Sequence, residues 1–250
     1  MRTKIDYGID LGTTNSALAR MENGKPAIRK TDTLKDTLPS CVSVTKKQDI
    51  LVGDGALNAL KSDSIRALKN WSTDSPNSYI EFKRTMGTNV RYHSSFMSKE
   101  FTSEELSGEV LMKLKSLVID ETINSIVITV PAKFTMVHKD ATISAGKAAG
   151  FEQVELLQEP IAASMAYGLN VTSADGIWLV FDFGGGTFDA ALIKVEEGIM
   201  KVIDTEGDNW LGGKNLDEAI VDQLILPHLG NNFAMTSVFE IGRASCRERV

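Results

Sequence analysis

Two turns rich in glycine and threonine constrain the fold of this chain more than any other feature. Each turn follows an apolar strand pattern with an aspartate near its end: Asp10 in GIDLGTTNS (8–16) and Asp182 in VFDFGGGTFD (180–189). A second apolar segment follows each turn, so both regions predict a β-hairpin. Glycine lets the backbone approach an anion closely, and successive N–H groups in such a turn can point at one phosphate. The sequence therefore predicts two phosphate-binding loops.

The residues around these loops indicate that a cation takes part. Thr13, Thr14 and Thr187 add hydroxyl donors, whereas the carboxylates of Asp10 and Asp182 would repel a phosphate. A metal ion or its water must then lie between carboxylate and phosphate, and Mg²⁺ suits this position because it keeps several of its waters. One such turn alone is more often an ordinary tight hairpin, but two in matching contexts favour a two-hairpin phosphate clamp. A P-loop pattern, GxxxxGK[ST], is absent from the sequence.

The surrounding patterns indicate an α/β protein built from two lobes. Strands are predicted in the first lobe at 5–11, 16–21, 26–30, 38–44, 126–130 and 154–157. Helices are predicted there as two short helices within 54–69, a helix with Ser103 as its N-cap, and helices over 135–149 and 160–167. The second lobe repeats the opening pattern, with strands at 177–184, 188–195 and 199–205 and then a helix after Gly212 and Gly213. A loop-like break at 170–176 separates the two lobes.

Composition and charge exclude several classes of protein. The 250 residues are 42% hydrophobic and 24% charged, which is typical of a globular protein, and the net charge of −6 argues against a nucleic-acid partner. No apolar run approaches the ~18 residues of a membrane span, and the N-terminus lacks the apolar core of a secretory signal. Cys41 and Cys246 cannot form a disulfide framework, which favours the cytoplasm.

Six motifs resemble those of the seventy-kilodalton heat-shock chaperones of the DnaK type, over roughly residues 4–230. They are GIDLGTTNS (8–16), FKRTMG (82–87), ITVPAKF (128–134), AAGFEQVELLQEPIAASMAYG (148–168), VFDFGGGTFD (180–189) and GDNWLGG (207–213). Their order and spacing resemble the nucleotide-binding domain of that family. The resemblance implies the actin-like ATPase fold, an α/β fold with two ribonuclease-H-like lobes and ATP or ADP between them. It also implies ATP hydrolysis in the service of protein folding.

The resemblance implies roles for individual residues. Lys83 matches a catalytic lysine that orients the attacking water, and Glu159 matches a carboxylate that helps to hold metal-bound water. Mg²⁺ would be held through water by Asp10, Glu159 and Asp182, and K⁺ would lie near Asp189. The implied catalytic residues are Lys83, Glu159, Asp182, Thr187 and Asp10. The implied nucleotide contacts are Gly12, Thr13, Thr14, Asn15, Gly184, Gly185, Gly186, Thr187, Gly212 and Gly213.

The chain also departs from the family pattern. The family usually has an arginine eight residues after the proline that corresponds to Pro131, and this arginine relays the nucleotide state to the rest of the chaperone. Lys139 stands there instead, which keeps the charge but lacks the planar fork of arginine. The partners implied for a full-length parent are unfolded peptides, a J-domain co-chaperone and a nucleotide-exchange factor.

The end of the chain predicts a truncated second lobe. We expect the first lobe to span 1–172 and an incomplete second lobe to span 173–239, so that the chain alone is weakly active or inactive. No arginine lies between Arg91 and Arg243, yet three of the last eight residues are arginines. We interpret 240–250 as a non-native tail, and a frayed native tail is the alternative.

Two other functions remain open for this superfold. A sugar kinase would need a substrate-binding carboxylate and a sugar pocket, which the sequence does not reveal. An actin-like filament or scaffold protein would use nucleotide only as an assembly switch. The amino-acid sequences of EPIAASMAYG (159–168) and FDFGGGTFD (181–189) favour the chaperone over both alternatives.

Overall fold

The computed structural model describes residues 5–70, 77–168 and 175–229, with every side chain in these ranges except those of residues 66–70. The strands of the first lobe are β1 (Tyr7–Leu11), β2 (Asn15–Glu22), β3 (Lys25–Ile28), β4 (Leu38–Pro39), β5 (Cys41–Val44), β6 (Ile50–Val52), β7 (Ser78–Ile80), β8 (Tyr92–Ser94), β9 (Lys99–Phe101), β10 (Ser125–Val130) and β11 (Gln153–Gln158). The helices there are α1 (Asp54–Asn70), α2 (Ser103–Lys115), α3 (Met136–Ala148) and α4 (Glu159–Tyr167), with a 3-10 turn at Phe82–Thr85.

The second lobe begins with three long strands and continues as a helix. The strands are β12 (Gly176–Phe183), β13 (Phe188–Glu196) and β14 (Ile199–Asp208). The helix α5 (Gly213–Ile220) continues through a π-helical turn (Val221–Ile225) into α6 (Leu226–Leu229). The predicted lobe boundary at 172/173 and the predicted tail at 240–250 lie outside the described residues.

A six-stranded mixed sheet organises the first lobe. Its strand order is β11-β10-β1-β2-β3, and β4 pairs with β2. The central strand β1 runs parallel to β10, with Ile9 opposite Ile128, and antiparallel to β2, with Asp10 opposite Ala17. Because β1 is central, the turn that follows it lies at the middle of one sheet edge. The predicted first hairpin is therefore present, in the position where a phosphate loop can face a cleft.

The core of the first lobe lies between this sheet and helix α2. Side chains from β1, β2 and β10, such as Ile9, Leu18 and Ile128, are no more than 1% exposed. Leu106 and Leu111 on α2 are fully buried against them. Helix α2 is capped by Thr102, whose hydroxyl accepts a hydrogen bond from the Glu105 amide, while the Glu105 carboxylate accepts one from the Thr102 amide. The prediction of Ser103 as the N-cap is therefore wrong by one residue, because Thr102 completes a capping box.

The segment 38–44 forms two strands rather than the single predicted one. Strand β4 belongs to the six-stranded sheet, whereas β5 is the central strand of a three-stranded sheet with order β6-β5-β7. The separating residue is Ser40, whose hydroxyl donates to the Gly12 carbonyl at 2.7 Å. The chain passes from one sheet to the other at this residue, and its side chain holds the first glycine turn.

Helix α1 packs on the small sheet. Ala56, Leu60 and Cys41 form a small buried cluster there. The prediction of two short helices within 54–69 is wrong, because the helix is continuous from Asp54 to Asn70. Within the described ranges, no helix is both long and apolar enough to cross a membrane.

The sheet of the second lobe is antiparallel, with strand order β12-β13-β14. One face is buried through Ala191, Ile193 and Val195, each no more than 1% exposed. The opposite face includes Leu179 and Phe181 of β12, which are 69% and 67% exposed. Strand alternation therefore divides this sheet into one covered and one open apolar face.

Candidate functional site

The predicted site residues converge on one cleft of about 500 Å³ between the two glycine turns. The predicted residues that line the cleft are Asp10, Gly12, Thr13, Thr14, Asn15, Lys83, Glu159, Asp182, Gly184, Gly185 and Thr187. Four predicted residues are absent from this lining and lie on or behind the second turn: Gly186, Asp189, Gly212 and Gly213. The cleft is also lined by Thr129 and by three alanines of α4, which the sequence did not single out.

The first turn is held tightly by backbone and hydroxyl contacts. A Cβ atom on Gly12 would lie 2.1 Å from the Asn15 carbonyl oxygen, so only glycine fits at this position. The Ser40 amide donates to the Thr14 carbonyl at 2.8 Å, while the Ser40 hydroxyl holds Gly12. The exposed Asp10 carboxylate accepts a hydrogen bond from Thr129 Oγ1 at 2.9 Å. These contacts fix the loop before any ligand arrives.

The second turn closes directly against the first. The Gly184 amide donates to the Thr187 carbonyl at 2.9 Å. A Cβ atom on Gly185 would lie 2.3 Å from Thr14 Oγ1, so the loops of the two lobes are in close contact. Their amides and hydroxyls thus border the same cleft from opposite sides, which suits a ligand with several anionic groups.

Gly212 and Gly213 support the second turn from behind. A Cβ atom on Gly212 would lie 2.5 Å from the Gly186 nitrogen. The Gly213 amide donates to the Gly184 carbonyl at 3.0 Å. The start of α5 is therefore packed on the loop, and this close approach requires a residue without a side chain at Gly212.

Lys83 and Glu159 form a buried ion pair at the floor of the cleft. Lys83 lies on the 3-10 turn, Glu159 is the first residue of α4, and Lys83 Nζ lies 2.7 Å from Glu159 Oε1. Their side chains are 7% and 15% exposed. Burial raises the pKa of Glu159, and the charges of Asp10 and Asp182 raise it further, while Lys83 opposes both effects. The ammonium is thus held in place by a carboxylate that is itself crowded by negative charge.

The two aspartates of the second hairpin lie directly opposite each other. Asp182 on β12 pairs in register with Asp189 on β13. Burial raises the pKa of Asp182, and the nearby charge of Asp10 adds to this effect. Burial also raises the pKa of Asp189 to about 6, with the charges of Glu159 and Asp182 contributing. Asp189 is 3% exposed, and its Oδ1 has no hydrogen-bond partner among the described residues.

The donor set fits a cation and an anion together. Four carboxylates at or beside one cleft would be stabilised by positive charge, and the unpartnered Asp189 oxygen would accept a weakly hydrated cation. Within the described ranges, no three Asp, Glu, His or Cys side chains lie close enough to ligate one ion directly. Coordination of Mg²⁺ through water by Asp10, Glu159 and Asp182 therefore stays a prediction.

Sequence reasoning missed three residues that shape the site. Thr129, in ITVPAKF, donates to Asp10, and Ser40 holds the first turn. Arg84, in FKRTMG, donates from Nη2 to the Gly186 carbonyl in the second turn. Arg84 lies next to Lys83 within a recognised motif, so the motif located it without indicating its contact. Lys139 lies on α3, outside the residues that line the cleft.

Comparison with known proteins supports the resemblance to the DnaK-type chaperones that the motifs indicate. A family model described as Hsp70 protein matches residues 6–234. A protein named chaperone protein dnaK from Cyanidium caldarium is 40% identical over 232 residues, which are 87% of this chain and 37% of that protein. Chaperone protein dnaK from Gracilaria tenuistipitata var. liui is 39% identical with the same coverage. Chaperone protein DnaK from Mycoplasmopsis agalactiae is 39% identical over 228 residues, 90% of this chain and 36% of that protein.

These matches favour the chaperone over the sugar-kinase and filament alternatives, and they confirm the resemblance predicted from the motifs. They also confirm the predicted fold class, because the mixed α/β architecture agrees with the actin-like ATPase fold of the family. The chain spans little more than a third of the length of these relatives. Since the family model covers most of its residues, the chain belongs to the Hsp70 protein family.

Proposed function

We propose that the chain binds Mg·ATP weakly in the cleft between the two glycine turns and hydrolyses it slowly to ADP and phosphate. The observation that carries this proposal is the contact of the two turns at Gly185 and Thr14 beside the Lys83–Glu159 pair. This arrangement offers anion-binding amides, an ammonium and cation-binding carboxylates around one space. The named relatives are DnaK chaperones, which supports a nucleotide as the ligand.

In the proposed reaction, a water oxygen attacks the γ-phosphorus as the bond to the β-phosphate bridging oxygen breaks. Amides of the two turns and the Thr13, Thr14 and Thr187 hydroxyls would hold the phosphates. Lys83 would contact the γ-phosphate and orient the water, and Glu159 keeps the lysine in place. Bound Mg²⁺ would neutralise phosphate charge, with Asp10, Glu159 and Asp182 holding its waters. Catalysis would rest on positioning and electrostatics, as in other phosphoryl transfers.

A monovalent cation is proposed beside Asp189. The buried Oδ1 atom without a partner and the raised pKa both indicate a carboxylate whose charge the folded protein does not compensate. K⁺ is weakly hydrated and carries one charge, so it suits a buried site of this kind. We propose that Asp10 and Thr187 lie close to the same ion.

Within a full-length protein, the nucleotide state is proposed to control binding of unfolded peptides, with a J-domain co-chaperone and a nucleotide-exchange factor as partners. The names of the relatives support the chaperone role. Cytoplasmic localisation is proposed from the cysteine usage of the sequence. Lys139 in place of the relay arginine would weaken communication between domains without stopping hydrolysis.

The test is calorimetric titration of Mg·ATP into the 250-residue chain, followed by single-turnover hydrolysis. We expect saturable binding at one site, of weak affinity. Lys83→Ala should lower the rate about 100-fold while changing affinity much less, because its contact strengthens in the transition state. Lys194→Ala is the matched control, since Lys194 is exposed on β13 away from the cleft. Absence of saturable binding, or hydrolysis by Lys83→Ala at the parent rate, would contradict the proposal.

A further inference from the structure

Three charged side chains connect the 3-10 turn of the first lobe to the second glycine turn. Glu81 directly precedes the 3-10 turn, Arg84 lies within it, and Lys214 lies on α5. Glu81 Oε2 accepts hydrogen bonds from Arg84 Nη1 at 3.2 Å and from Lys214 Nζ at 2.8 Å. One carboxylate oxygen therefore joins a cation of the first lobe to a cation of the second.

Arg84 reaches past this carboxylate to the second turn itself. Its side chain is only 4% exposed, and its Nη2 donates to the Gly186 carbonyl. The guanidinium lies over the Trp210 ring, with 5.4 Å between its carbon and the ring centroid. A Cβ atom on Gly186 would lie 2.7 Å from Arg84 Nη2. The arginine is thus packed between the turn and an aromatic ring of the second lobe.

Lys214 contacts the same turn through its backbone. The Lys214 amide donates to the Gly185 carbonyl at 3.0 Å, while its side chain pairs with Glu81. The side chains of Lys214 and Glu81 are 22% and 19% exposed, so water screens this pair only partly. A single residue therefore links the backbone of the second turn to the first lobe.

The backbone conformation at Glu81 favours glycine, which indicates that the glutamate side chain is needed for its contacts. Glu81 has φ 61° and ψ 14°, in the left-handed region that favours glycine. A residue with a side chain is disfavoured in this region relative to glycine. Glycine would relieve this cost but would remove the carboxylate that accepts from both Arg84 and Lys214.

We propose that Glu81, Arg84 and Lys214 form an inter-lobe clamp that positions the second glycine turn relative to Lys83. The inference rests on the proposed nucleotide function, because the turn is taken as a phosphate loop. Arg84 directly follows Lys83 on one rigid 3-10 turn, so the clamp sets the distance between the proposed catalytic lysine and the loop. The three members are positioning residues: they contact the loop and one another, Arg84 also contacts Trp210, and Lys214 Nζ also lies 3.8 Å from Glu218 Oε1.

The first test needs no nucleotide. Hydrogen–deuterium exchange of the chain should report faster exchange in peptides that cover 183–187 for Glu81→Ala and for Lys214→Ala. The double variant Glu81→Ala/Lys214→Ala should exchange more slowly than the sum of the two single effects predicts, because the two side chains contact each other. Lys214→Arg should restore slow exchange, since arginine keeps the charge and the reach.

The matched control is the pair Lys194 and Glu196, which also lies at 2.8 Å but within the single strand β13, with both side chains exposed. Lys194→Ala and Glu196→Ala should leave exchange at 183–187 unchanged and should combine additively. Circular dichroism checks that each variant is folded. If Glu81→Ala does not fold, Lys214→Ala alone tests the contact between the two residues. Parent-like exchange at 183–187 in folded Lys214→Ala, or independent effects of Glu81→Ala and Lys214→Ala, would overturn the clamp.

The second test adds Mg·ATP. Lys214→Ala should lower the single-turnover rate about 10-fold while nucleotide affinity changes less than about 3-fold, because misplacement of a loop affects the transition state most. Lys214→Arg should recover most of the rate. Failure of the parent chain to bind nucleotide would contradict the proposed function, whereas the exchange experiment would still decide whether the clamp exists. Equal loss of affinity and rate in Lys214→Ala would count against a positioning role.

Discussion

The two glycine-turned hairpins share a sequence pattern but differ in electrostatics. In the first, Asp10 lies opposite Ala17, is exposed and accepts a hydrogen bond from Thr129. In the second, Asp182 lies opposite Asp189, and burial and neighbouring negative charge raise the pKa of both carboxyl groups. Like charges directly opposite on neighbouring strands are destabilising. The second hairpin therefore carries a cost that the first lacks, and a bound cation would offset it.

The hairpins also differ in how they are covered. The strands of the first are buried in a continuous core, with Leu18 fully buried and Leu11 at 2% exposure. The outer face of the second includes Ile177 and Phe181, which are 63% and 67% exposed. The comparison shows that two loops with one sequence pattern are supported differently. The strands of the first loop are covered on the core side and held by Ser40, whereas the second loop is held by the start of α5 and by Arg84 of the first lobe.

The largest expected effect concerns the core behind the first hairpin. Leu111→Ala should lower the free energy of unfolding by about 3 kcal/mol, because it removes a fully buried side chain and leaves a cavity. Urea unfolding of the chain, monitored by circular dichroism, measures this change. Met112→Ala is the control, since Met112 is the next residue on α2 and is 40% exposed. Equal losses of unfolding free energy for the two variants would contradict the claim that a buried core supports the first hairpin.

The next effect concerns the charge pair of the second hairpin. The folded protein raises the pKa of Asp189 to about 6, above its usual value of 3.8, so stability present below pH 4 is lost as pH rises to about 6. Asp189→Asn lacks this loss and should gain about 3 kcal/mol of stability at pH 7, with little difference at pH 4. Unfolding curves at several pH values in sodium buffer measure it. Asp10→Asn, in the exposed position of the first hairpin, should gain less, because it relieves only the repulsion with Asp182 and Glu159.

A smaller effect should follow from adding potassium. Because K⁺ is proposed to bind beside Asp189 only in the folded protein, it should raise the thermal midpoint of the parent chain. At a K⁺ concentration of about ten times the dissociation constant, the gain would be about 1.4 kcal/mol. Asp189→Asn should not respond. Choline chloride at equal ionic strength controls for screening, and an equal response of parent and variant would argue against the ion site.

The smallest effect is expected on the open face of the second lobe. Phe181→Ser should change the free energy of unfolding by less than about 0.5 kcal/mol, because Phe181 is largely exposed. The same change should reduce self-association, since exposed apolar patches favour association. Analytical ultracentrifugation measures the association, with Ile28→Ser as a control on an exposed residue of the first lobe. A loss of several kcal/mol would mean that this face is covered in solution.

Much of the fold was predictable because both hairpins and the parallel strand β10 are encoded by local alternation and apolar runs. Each error has an identifiable physical cause. Residues 38–44 read as one strand, because the hydrogen bond from Ser40 to Gly12 connects positions that no short pattern links. The α1 pattern gave two helices because it breaks at Lys61–Ser64, where polar residues interrupt the apolar face of a continuous helix.

The loops of the site could be predicted from the sequence, but the side-chain contacts between the two lobes could not. Motifs identified the glycine turns, Lys83 and Glu159, and the structure brings them to one cleft. They did not identify the bond between Glu81 and Lys214, because the two residues are 133 positions apart and neither is unusual in its own segment. Contacts between lobes depend on three-dimensional packing, which the local sequence does not specify.

The change of sheet at Ser40 has a mechanical consequence. The strand before Ser40 belongs to the large sheet, and the strand after it belongs to the small sheet that carries α1. The hydroxyl of Ser40 holds the Gly12 carbonyl and also contacts the Ser16 hydroxyl at 2.9 Å, so the chain changes sheets at the same residue that holds the first loop. A small displacement of the neighbouring sheet would therefore be transmitted through Ser40 to the position of the first loop.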